Sequence, residues 1–105
     1  MFRQHFVDSV APLGISQTFT GEPRRTSIRS GRVGVYAFAS HAGTAELQQS
    51  HDGNAWRFAV GHSIAVGAGE TRQLVVDVVA PFWRVVYVNG AAAQTTFVLM
   101  SAELA

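Results

Sequence analysis

The chain has 105 residues, no cysteine, and a formal net charge of +1 from eight basic and seven acidic side chains. That length supports one domain with a single core, and the missing cysteines exclude a disulfide framework and a thiolate metal site. Only 14% of the residues are charged, against about 25% in an ordinary globular domain, so little of the surface is built for solvation alone.

Residues 1–12 read as an N-terminal arm, with Phe2, Phe6 and Val7 as its apolar points and Pro12 as its end. The opening MFRQHFVDSVAPLG lacks the apolar run of a signal peptide. From Leu13 onward the pattern is that of one domain, 13–105. LGISQTFT (13–20) places Leu13, Ile15 and Phe19 roughly on one face, as a half-buried strand does. RVGVYAFAS (32–40) puts Val33, Val35, Ala37 and Ala39 on one side, and GTAELQQS (43–50) carries Ala45 and Leu47 against Glu46 and Gln48. A turn at Asp52-Gly53-Asn54 leads into AWRFAV (55–60), expected as a further strand. GHSIAVGAGE (61–70) holds one short strand between glycines, and RQLVVDVV (72–79), FWRVVYV (82–88) and TTFVLMSAEL (95–104) complete the set. Short strands, frequent turn signals and no sustained 3.6 period predict an all-β sandwich of about eight antiparallel strands. The longest apolar stretch, LVVDVVAPFWRVVYV, is broken by Asp77, Pro81 and Arg84 and is no membrane span.

The late strands are apolar on both faces. Trp83, Val85, Tyr87, Phe97 and Leu99 share the parity expected of the core, while Phe82, Val86, Val88, Val98 and Met100 have the opposite one. A sandwich sheet normally shows one face to water, so the second set needs a cover. Together with Phe2 and Phe6 it forms the expected interface with another subunit or a partner.

QQSHDGNAW (48–56), followed by PFWRVVYV (81–88), resembles the paired motif of discoidin-like, galactose-binding-type jelly rolls. There a Ser-x-Asp-Gly-x-x-Trp hairpin precedes an aromatic-x-Arg-hydrophobic strand. The match falls on Ser50, Asp52, Gly53 and Trp56, then on Phe82, Arg84 and Val85. The longer stretch 43–104, with YVNGAAAQTTF and its Asn89, Gly90, Gln94, Thr95 and Phe97, is similar to small jelly-roll structural proteins of tailed bacteriophages. The resemblance implies a jelly-roll sandwich and a virion role. It does not carry sugar or lipid binding with it, because the chain is shorter than a discoidin domain and lacks the terminal cysteines.

On the residues alone, Trp56 is expected to plug one end of the sandwich, the alternative being an exposed binding platform, and Arg84 to pair with Glu46, Asp52 or Asp77 rather than to be reserved for a ligand. Catalytic patterns are thin. His5, His41, His51 and His62 lack metal-ligand spacing, no G-x-S-x-G elbow is present, and GAG at 67–69 does not open a helix. No cofactor is expected. All eight basic residues are arginine; arginine-favouring codon usage explains that without a function, but not the low total charge. Arg24, Arg25, Arg29 and Arg32 cluster in EPRRTSIRSGR, without the interleaved aromatics that stack bases, which points to a solvated loop or a contact to an acidic neighbour and argues against nucleic acid. The expected function is therefore non-enzymatic: a capsid decoration (cement) protein of a bacteriophage virion, acting as a homotrimer with itself and the major capsid or another virion protein as partners. A tail or baseplate position belongs to the same class. The alternative from a different class is a carbohydrate-binding module using loops at one end of the jelly roll.

Overall fold

Strict alternation decides the core. In β4 (Arg32–Ala39) every second residue, Val33, Val35, Ala37 and Ala39, is buried. In β9 (Phe97–Leu104) the buried positions are Phe97, Leu99, Ser101 and Glu103. The computed structural model describes residues 3–26, 31–57 and 61–104, the side chains of Arg3 and Gln4 excepted, and these form nine strands and no helix.

The first sheet runs β1 (Arg3–Ser9), β9, β4, β7 (Glu70–Asp77). The second runs β2 (Thr18–Thr20), β8 (Phe82–Asn89), β5 (Gly43–Ser50), β6 (Ser63–Val66), and β3 (Arg24–Arg25) also pairs with β8. All these pairings are antiparallel. β2 and β3 share one edge of β8, so they act as one strand broken around Gly21, which leaves eight strand positions in two sheets. That order is the jelly roll, a double Greek key.

Trp83, Tyr87, Leu47, Phe97 and Leu99 fill the space between the sheets. Tyr87 packs edge-on to Phe97, with centroids 4.7 Å apart, and Gly43 lies so close to its hydroxyl that a Cβ there would overlap it. One end of the sandwich is closed by a buried polar pair. Gln94 Nε2 donates to Asn89 Oδ1 (2.6 Å) and to the His41 carbonyl (2.8 Å). Asn89 Nδ2 donates to the carbonyls of Gly14 (2.7 Å) and Ala92 (3.0 Å). Burying these amides is tolerable because they are bonded.

The structure corrects several sequence expectations. Within the expected arm, residues 3–9 form an edge strand of the sandwich, paired with β9 from Arg3↔Leu104 to Ser9↔Leu99. Phe6 faces inward onto Trp83 at 6.0 Å. The bulge between Val7 and Ser9 makes Asp8 the extra residue and turns its carboxylate into the interior, where its side chain is 2% exposed. The strand expected over 13–20 is confined to 18–20; Ile15 is exposed and Ser16 has φ 57°. From 55–60, Arg57 makes an isolated bridge to Gln49, and 58–60 lie outside the described residues.

The doubly apolar set also divides. The core parity holds, but Phe82, Val86 and Val88 lie on the outer face of the second sheet, and Val98 and Met100 on the outer face of the first. They are on opposite sides of the sandwich and cannot form one surface. Val86 is only 3% exposed. It stands directly between Thr20 and Glu46 in the ladder.

Candidate functional site

The motif residues converge on the outer face of β8. Ser50 faces Phe82 across the β5–β8 ladder, and Gln48 faces Arg84. Ser50 then shapes the following loop: its hydroxyl accepts from the Gly53 amide (2.8 Å) and donates to Asp52 Oδ1 (3.0 Å). The same Asp52 oxygen accepts from the amides of Asn54 (2.8 Å) and Ala55 (2.9 Å), an Asx turn. Gly53 has φ +82°, the left-handed region in which a side chain is strained.

Those amides hold the Asp52 carboxyl at about 2, below its ordinary 3.8. A depressed folded value means that the carboxylate's contribution is complete above about pH 4 and is lost as pH falls through 2. Asp52→Asn is therefore expected to melt below wild type at pH 6, with the gap narrowing between pH 4 and pH 2. Thermal melts across that range test this, and a gap independent of pH would refute the role of the charge.

The loop carries Trp56 back over β8. Its ring is half-buried and lies against the Arg84 guanidinium, whose Cζ is 4.4 Å from the ring centroid. Trp56 is thus not an end plug, because the loop turns onto the outer face; the core tryptophan is Trp83. Among the described residues Arg84 makes no carboxylate pair either. Its Nε donates to Gln48 Oε1 (2.8 Å), and Gln48 Nε2 in turn donates to Glu46 (3.1 Å). Burial lowers the Arg84 pKa. Beside the loop, Gln49, His51, Arg57 and Val79 line an open depression of about 430 Å³.

Three of the clustered arginines are described, and two of them find their acidic contact within the chain. Arg24 reaches Asp8 (3.0 Å) and lies over Phe6, and Arg32 lies 3.5 Å from Asp77. Arg25 lies over Phe82, its Cζ 5.4 Å from the ring centroid. Arg29 and Phe2 lie outside the described residues.

The outer face of the first sheet is the second candidate. Val7 (63% exposed), Val75 (57%) and Tyr36 (38%) stand there with half-buried Phe38, Val98, Met100 and Leu104. Gly34, without a side chain, opens a groove of about 360 Å³ between Tyr36, Val75, Met100 and Leu104. Among the described residues no three His, Asp or Glu side chains are placed to hold a metal ion.

A family profile described as the N-terminal domain of the uncharacterised protein YqxG matches residues 1–103. The chain belongs to this family. No curated protein matches it in sequence. Among solved structures, the PBSX exported protein XepA shares the fold with a TM-score of 0.88 at 23% identity, over 97% of this chain and 37% of that one. The chain thus spans little more than a third of XepA. PirA gives a TM-score of 0.57 at 15% identity, over 98% of this chain and 93% of that one. A structure of Bacillus endospore appendages, which form disulfide-linked pili, gives 0.53 at 14%, over 99% and 88%. At these identities the likeness is one of fold. A disulfide link is closed to this cysteine-free sequence.

Proposed function

We propose that this domain is a non-enzymatic structural component of a bacteriophage virion, in its most specific form a capsid decoration protein that sits on the shell as a homotrimer. The observation that carries the reading is the apolar outer face of the first sheet. Val7, Tyr36, Phe38, Val75, Val98, Met100 and Leu104 make the kind of continuous patch that soluble monomers avoid, and closed symmetry covers such a face economically. The same fold in an exported protein and in a pilus supports a role by assembly. The Ser50–Trp56 loop with Arg84 supports kinship with the small discoidin-like virion proteins.

Sedimentation velocity at tens of micromolar tests the reading. The wild-type chain is expected well above its 11.3 kDa monomer mass. Val75→Arg, at an exposed position, is expected to weaken association at least about tenfold, the effect of roughly 1.4 kcal/mol, with unchanged β-sheet circular dichroism. A monodisperse wild-type monomer would overturn the proposal.

A further inference from the structure

Arg24, Arg32 and Arg72 each lie beside a carboxylate of this chain: Asp8, Asp77 and Glu70. Arg25 and Arg84 make no ion pair among the described residues, and they are neighbours. Arg25 stands directly opposite Phe82 in the β3–β8 ladder. Arg84 follows two residues along β8 on the same face, so the two Cα atoms are diagonal neighbours about 7–8 Å apart. Each guanidinium lies on an aromatic ring, Arg25 on Phe82 and Arg84 on Trp56. Stacking of this kind fixes the plane of the fork and leaves its N–H edge for another group.

Glu46 and Asp52 keep their charge but, among the described residues, form an ion pair with neither arginine, and their hydrogen bonds come from neutral donors. Glu46 accepts from Gln48 Nε2, and Asp52 accepts from Ser50 and two loop amides. Two cations thus sit side by side in a chain with few charges, each held against a ring and neither in an ion pair among the described residues. We propose that Arg25, Arg84 and Trp56 form a binding site for an anionic saccharide. The guanidiniums take its carboxylate or sulfate through charge-assisted hydrogen bonds, and the open side of the half-buried Trp56 ring packs on the sugar's apolar face. One ring and two cations suit an acidic sugar. A nucleic-acid strand calls for several open stacking rings along a basic groove; this face supplies two, Trp56 and Phe82, and Arg25 already lies over Phe82.

The site lies on the opposite side of the sandwich from the apolar face, so its test is independent of self-association. The probes are polygalacturonate, dextran sulfate and neutral dextran, in native gels and by calorimetry at about 0.15 M salt, where weak surface attraction is screened. Wild type is expected to bind at least one of the two polyanions and not the neutral dextran. Arg25→Glu, at an exposed side chain, is expected to lose at least about tenfold in affinity with an unchanged melting temperature, and Trp56→Ala is expected to weaken binding as well. Arg72→Glu makes the same charge change on the other sheet and is expected to bind as wild type does. Failure to bind either polyanion would overturn the proposal. So would equal losses in Arg25→Glu and Arg72→Glu, or, with a single-stranded DNA oligonucleotide run as a fourth probe at the same salt, equal affinity for it.

Discussion

Trp83→Ala is expected to lower the stability by about 3–5 kcal/mol, the range for deleting a large buried ring. Whole domains are stable by only about 5–15 kcal/mol, so this variant should be partly unfolded near physiological temperature. Trp83 is fully buried, on the central strand of the second sheet, with Phe6 of the first sheet edge-on against it at 6.0 Å. Its indole N–H has no hydrogen-bond partner among the described residues, and an unsatisfied buried donor costs about 1–3 kcal/mol. Trp83→Phe removes that donor while keeping an aromatic ring, and should lose less than half of what Trp83→Ala loses. Trp56→Ala is the contrast: it gives up a half-exposed ring and one cation–π contact, about 1–2 kcal/mol. Urea midpoints for the three variants check the order. Equal losses for the two alanine variants would contradict the assignment of Trp83 as the core ring.

The two tryptophans show what the sequence could and could not reveal. Parity along FWRVVYV placed Trp83, Val85 and Tyr87 in the core, because a strand exposes alternate residues to alternate faces. The same rule separated Phe97 and Leu99 from Val98 and Met100. Parity does not say which side of the molecule a face looks toward; that depends on which sheet each strand joins. β8 and β9 join different sheets, so their outward sets point in opposite directions. Trp56 escaped the reading for a related cause. A turn signal at Asp52-Gly53 gives local geometry, whereas the side onto which the loop folds back is marked by the contact of Trp56 with Arg84, far along the chain. β1 was hidden because RQHFVDS is polar at most positions, and its burial rests on one phenylalanine and one charged side chain. That charge, Asp8, was legible only as an ordinary surface acid.

Asp8→Ala should destabilise the domain by about 3 kcal/mol, the lower end of the cost of removing one partner of a buried ion pair. The lower end applies because Arg24 keeps some access to water, its side chain being 21% exposed against 2% for Asp8. The carboxylate ties three elements: Oδ1 accepts from Arg24 Nη2 on β3 at 3.0 Å, and Oδ2 accepts from Ser101 Oγ on β9 at 2.7 Å. Asp8 itself rides on β1, so one side chain joins the edge of the first sheet to the edge of the second. Arg24 also covers Phe6, its Cζ 3.7 Å from the ring centroid, and that packing does not depend on charge. Replacing both partners at once, as Asp8→Ala with Arg24→Met, should therefore recover part of the loss, because the methionine can still lie on Phe6 and no charge is left unpaired. Hydrogen exchange adds a local readout: in Asp8→Ala the amides of β1 should lose protection well before those of β4 and β9. An Asp8→Ala variant within about 0.5 kcal/mol of wild type, the range of an unremarkable surface substitution, would show that the pair does not hold β1 in place. A double variant no more stable than Asp8→Ala alone would show that the stranded arginine is not the source of the cost.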